Sequence, residues 1–151
     1  MAEAIRLSLA TTFVYEGRSY VQINQSTDYA IRMVLYLARA AQPVPSSKLS
    51  EAVGVSSRYL LQIGSRLRDA GLITVLYGSN GGYTLSKAPE EITLLDIISL
   101  IERRTCFCSP TSVQRGEAVH TLDAAYRRIN DILTDMLQGI TIESLLREPS
   151  K

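Results

Sequence analysis

Residues 46–85 read SSKLSEAVGVSSRYLLQIGSRLRDAGLITVLYGSNGGYTL, and the fold turns on this stretch. Leu49, Ala52 and Val53 form a short apolar run with helical spacing that stops at Gly54. Ser56 or Ser57 is a capping candidate that opens a longer run through Leu60, Leu61, Ile63, Leu67 and Ala70. Gly71 ends it, because a helix commonly stops where a glycine takes the left-handed conformation past the last turn. The period then changes. Leu72–Tyr77 is rich in β-branched and aromatic residues, 78–82 is GSNGG, and Tyr83–Leu85 resumes the alternation, so a hairpin is expected. Two helices joined by a tight glycine turn and followed at once by a glycine-tipped hairpin describe a winged helix-turn-helix.

Outward from this core, Thr27–Arg39 places Tyr29, Ala30, Met33, Val34, Leu37 and Ala38 at helical steps, with Ser26 or Thr27 as cap. Pro89–Glu91 reads as a linker, and Thr93 with Asp96 resembles a capping box for a helix carrying Leu94, Leu95, Ile97, Ile98 and Ile101. Arg103–Gly116 has no period and reads as a loop. From Glu117 or Thr121 a helix runs to about Gln138, with Leu122, Ala125, Ile129, Ile132, Leu133, Met136 and Leu137 in one stripe. Gly139 ends it, and Ile140–Leu146 reads as a last short helix behind Thr141. The expected fold class is mostly α (α+β), a winged helix-turn-helix with a small two-stranded wing and a long C-terminal helix. The expected divisions are 1–22, an N-terminal extension; 23–102, the winged domain; 103–120, a sensor-type loop; and 121–151, a dimerisation helix with the C-terminal segment.

Composition narrows the function classes. The chain has 151 residues, 46% of them hydrophobic and 21% charged, which excludes a disordered tail or a fibre. No apolar run approaches the roughly 18 residues of a membrane span, and Glu3, Arg6, Glu16 and Arg18 interrupt any secretion signal, so a cytoplasmic protein with no membrane partner is expected. The net charge of +1 hides a split: residues 24–87 hold seven basic and three acidic groups, and residues 88–151 seven basic and ten acidic. That asymmetry suits a polyanion bound by the first half, although a chance split on solvated faces would look the same.

A helix about 10 to 12 Å across fits the major groove, so the second helix can lay its first turns on base edges while the hairpin reaches phosphates or the minor groove. The candidates for DNA contact are Lys48, Ser56, Ser57, Arg58, Tyr59, Gln62 and Arg66, and on the wing Tyr77, Ser79, Asn80 and Gly81. Gln pairs adenine and Arg pairs guanine or phosphate, which makes Gln62 and Arg58, with Ser57, the expected readers. No catalytic constellation is present and no enzyme is expected.

The strings STDYAIRMVLYLA (26–38), KLSEAVGVSSRYLLQIGSRLRDAGLI (48–73), GSNGGYTLSKAPEEITLLDII (78–98) and ITIESLL (140–146) together resemble the Rrf-two family of bacterial winged-helix transcription regulators. The resemblance covers residues 23–102, about half the chain, and the closing string. It implies a homodimer on palindromic double-stranded DNA, a repressor, joined through the long helix by Leu122, Ala125, Ile129, Leu133 and Met136. Several relatives carry Glu where Leu61 stands and Arg where Tyr77 stands, so their operators cannot be borrowed. Relatives usually begin near Val21. Residues 1–20 are therefore an addition, either a start codon assigned too early or an arm packing on a partner subunit.

Cluster-binding members place three cysteines in the loop before the long helix, and this loop has two, Cys106 and Cys108. Aligning on ITIESLL puts Cys108, Gln114 and His120 near the three family positions, and Asp123 near an additional ligand. An iron-sulfur cluster or zinc on Cys106, Cys108, His120 and Asp123 is chemically admissible, but the C-x-C spacing fits one metal poorly. Thiol oxidation, favoured by Arg103 and Arg104 beside Cys106, is a second reading. The expectation is no bound cofactor. A protein-protein adaptor that has lost DNA binding is the rival from another class.

Overall fold

The computed structural model describes the backbone of residues 13–15, 18–20, 23–103 and 117–148, and the side chains of 23–103 and 122–148. In chain order the elements are β1 (Phe13–Tyr15), β2 (Arg18–Tyr20), α1 (Gln25–Arg39), α2 (Ser46–Val53), α3 (Ser57–Asp69), β3 (Ile73–Leu76), β4 (Gly82–Leu85), a 3-10 turn (Pro89–Glu91), α4 (Leu94–Glu102), α5 (Glu117–Gly139) and α6 (Ile142–Arg147). β1 pairs antiparallel with β2, Phe13 opposite Tyr20. β3 pairs antiparallel with β4 in the register Ile73↔Leu85 to Leu76↔Gly82.

The helices begin and end where local chemistry allows. α2 stops at Gly54, whose φ of 78° puts it in the left-handed region, and Gly71 at φ 71° follows the cap of α3. Ser56 caps α3 by accepting from the Tyr59 amide. Thr93 and Asp96 form the expected capping box: the Asp96 amide donates to Thr93 Oγ1 and the Thr93 amide to Asp96 Oδ2. α1 departs from the sequence reading. It starts two residues earlier, and its cap is Asn24, whose side chain accepts from the Ser26 amide. Ser26 and Thr27 are otherwise engaged: Ser26 Oγ bonds Tyr59, and Thr27, fully buried, donates to Glu102 Oε1 at 3.3 Å.

One core joins α1, α2, α3, the wing, α4 and α6. It holds Met33, Val34, Leu49, Leu60, Leu67, Ile73, Ile92, Ile97 and Ile142 among others. The C-terminal segment is part of that core. The Ile142 amide donates to the Ile92 carbonyl and the Leu94 amide to the Ile140 carbonyl, both at 2.9 Å, which closes a bridge between Thr93 and Thr141. Ile142 is completely buried, so the chain returns to the winged body after α5. The link between α1 and α2 is also recruited: Val44 exchanges two backbone hydrogen bonds with Tyr83 and adds a bridge at the side of the wing.

A candidate nucleic-acid interface

α3 is oriented by what it buries. Leu60, Ile63, Gly64 and Leu67 face the core, which leaves Ser57, Arg58, Leu61 and Gln62 on the outer ridge. Gly64 matters to the wing: a Cβ there would lie 3.2 Å from the ring of Tyr83, so the missing side chain lets β4 pack on α3. Burial raises the Tyr83 phenol above its ordinary pKa of 10.0, with Arg68 opposing and Tyr77 adding to the shift.

Lys48 stands exposed in the first turn of α2, which carries no acidic residue and whose N-cap, Pro45, supplies no side-chain bond. Ser56, Ser57, Arg58 and Gln62 are likewise exposed. The ion pairs among the described residues are Arg32–Asp28, Arg68–Asp69 and Arg147–Glu143, so Lys48 and Arg58 keep their charge unpaired within that set. On the wing, Tyr77 is 89% exposed, Ser79 and Asn80 are exposed, and Gly81 is half-buried. Ser79, Asn80 and Gly81 share a surface hollow of about 340 Å³ with Gln42, Pro43 and Pro45. A second hollow of about 420 Å³ is lined by Tyr36, Arg39 and Lys48 with residues 40–45. The wing tip and the start of α2 thus meet at one corner. The sequence reading missed Arg39 and Gln42, because only the Val44–Tyr83 bridge brings their loop to the wing.

Two of the nominated side chains are held by the protein itself. Arg66 is half-buried and its guanidinium donates to the Ile101 carbonyl at 3.1 Å, tying α3 to the last turn of α4. Tyr59 is half-buried, bonds Ser26 through its hydroxyl, and packs edge-on against Tyr29 with ring centroids 5.9 Å apart. Neither link could be read locally, since the partners lie 35 and 33 residues away.

On α5, Leu122, Ile129, Ile132 and Met136 are between 43% and 57% exposed, and Ala125 is exposed beside them. Leu133 and Leu137 are half-buried. The most exposed apolar row therefore runs 122, 125, 129, 132, 136, while Leu133 is half-buried beside it. Cys106 and Cys108 lie outside the described residues, as does the side chain of His120. Among the described residues no three potential ligands cluster as a metal site. Asp123 Oδ1 is buried with no hydrogen-bond partner. No described helix is long and apolar enough to cross a membrane.

Comparison with known proteins agrees with this geometry. The Rrf2 family model, described as an iron-dependent transcriptional regulator, matches residues 23–148. The HTH-type transcriptional regulator IscR of Pectobacterium atrosepticum is 37% identical over 125 residues, covering 78% of this chain and 74% of the relative. Protein aau3 of Rhizobium meliloti is 31% identical over 134 residues, covering 84% of this chain and 86% of its own. Among solved structures, CymR, the global cysteine regulator of B. subtilis, superposes with a TM-score of 0.74 at 26% identity, covering 87% of this chain and all of that one. With a winged helix-turn-helix whose second helix leaves a polar ridge exposed, and with these relatives over most of its length, the chain belongs to the Rrf2 family and is a DNA-binding transcriptional regulator rather than an enzyme.

Proposed function

We propose that this regulator lays α3 in the major groove of a palindromic operator, in the cytoplasm, as a homodimer, and represses by occluding the promoter. The carrying observation is the exposed ridge of Ser57, Arg58 and Gln62 on α3, with Arg58 and the exposed Lys48 of α2 unpaired among the described residues. Arg58 and Gln62 face base edges; Lys48, Ser56 and the wing residues Tyr77, Ser79, Asn80 and Gly81 face phosphates and the adjoining groove. Arg66 and Tyr59 contribute by fixing the pose of α3, since their polar atoms already bond Ile101 and Ser26.

Arg58→Ala should weaken operator binding by about 5- to 150-fold, the range of about 1–3 kcal/mol for one good bidentate contact. Fluorescence anisotropy across a salt series checks it. If Arg58 meets a phosphate instead, the logarithmic salt slope falls by about 1 for each subunit. Unchanged affinity together with an unchanged slope would refute the placement of α3.

The outward row of α5 suits a second copy of the chain, because its spacing of three and four residues makes one continuous apolar stripe. Two copies joined there would set their reading helices about 34 to 36 Å apart, one turn of DNA. The double variant Ile132→Asp, Met136→Asp should sediment as a monomer at micromolar concentration while keeping its helical circular dichroism. A dimer that survives both charges places the interface elsewhere.

In this reading residues 23–102 bind DNA, the sensor-type loop ends where α5 begins at Glu117, and α5 joins the subunits. The family description names iron, and the chain's two cysteines fall one short of the three that cluster-binding members place in the loop before the long helix. DNA binding as described requires no metal.

A further inference from the structure

The outer ridge of α3 holds one residue that cannot make a hydrogen bond. Leu61 is 55% exposed, while the rest of the helix's leucine and isoleucine side chains, at 60, 63 and 67, are buried. It lies three residues from Arg58 and four from Ser57, next to Gln62, so helical spacing sets it in the middle of the polar surface. Within the described chain it packs into no core. In a major groove, an apolar side chain between an arginine and a glutamine meets four kinds of base edge. Three of them carry no methyl and present donors or acceptors, which Leu61 would strip of water without replacing the bond. The fourth, thymine, offers a C5-methyl group. We infer that Leu61 is a specificity-determining residue that selects thymine through this methyl, within a step or two of the bases met by Arg58 and Gln62. The inference rests on the placement of α3 proposed above and adds to it the base and the group read.

The test uses the full chain and duplexes enriched by it from random-sequence DNA. Each thymine of the recovered site is replaced in turn by deoxyuridine, which removes the methyl and leaves every hydrogen-bonding group in place. At one position in each half-site the replacement should weaken binding about fourfold, the effect of one buried carbon, and about 15-fold when both half-sites are changed. In Leu61→Ala the penalty at that position should vanish while penalties at other thymines persist, and in Leu61→Met it should return. Indifference of the wild-type chain to every uracil overturns the role of Leu61 alone, as does a penalty that Leu61→Ala leaves intact. Recovery of no duplex at all overturns the placement of α3, and this inference with it.

Discussion

Gly82→Ala is expected to destabilise the protein by about 3 kcal/mol, lowering its melting temperature by roughly 6 to 12 °C for a chain of this size. A Cβ at Gly82 would stand 2.3 Å from the Val44 carbonyl oxygen, 2.4 Å from its carbon and 2.8 Å from the Pro45 nitrogen. All three are backbone atoms, so no rotamer change relieves the overlap. The approach is this close because Val44 and Tyr83 exchange hydrogen bonds of 2.9 and 2.8 Å. Relief therefore requires the α1–α2 link to leave the wing, and the two bonds, each contributing about 1 kcal/mol, go with it. Gly54→Ala is the matching control. Gly54 has φ 78° but nothing within 4 Å of a Cβ, so it should cost only the left-handed strain of roughly 1 to 2 kcal/mol. Urea titrations of the two variants decide the matter: equal losses would mean that the link and the wing are not in contact in solution.

Ile142→Ala should cost about 2 to 5 kcal/mol, the range for removing a large aliphatic side chain from a close-packed interior. Ile142 has no exposed surface and sits in the same cluster as Met33, Ile92 and Ile97, although it lies beyond α5 in sequence. Its amide also bonds the Ile92 carbonyl. If α6 is part of the winged body, a single cooperative transition should move to lower urea when followed both by helical circular dichroism and by hydrogen exchange at the buried amides of α1. If α6 were a separate tail, Ile142→Ala would melt the tail and leave the exchange of α1 unaltered. That result would remove the C-terminal segment from the core.

The helices and the hairpin were legible because each is announced by contacts within a few residues. Leu60, Ile63 and Leu67 repeat at the spacing of one helical face. Gly54 and Gly71 stand where only a left-handed residue closes the turn, and Thr93 meets Asp96 within one turn. Local chemistry misled at α1, where Asn24, Ser26 and Thr27, all within four positions, can each cap a helix. Asn24 caps because distant groups claim the other two, Tyr59 for Ser26 and Glu102 for Thr27. For the interface, Arg58, Gln62 and Lys48 stand exposed as their pattern suggests, while Arg66 reads as one more surface arginine until Ile101 is seen beside it.

The same division holds on α5. Periodicity marks Leu122, Ile129, Ile132, Leu133, Met136 and Leu137 together, and only packing separates half-buried Leu133 and Leu137 from exposed Ile132 and Met136. The order of residues by itself determined the helices, their stops, the glycine-tipped wing and the likeness to a regulator family, since these depend on spacing and on backbone freedom at short range. Tertiary structure alone decided which polar side chains on α3 stay exposed, which apolar row of α5 faces outward and that α6 joins the core of the winged body. Those outcomes depend on pairs tens of residues apart, and no local pattern encodes which distant group each side chain will meet.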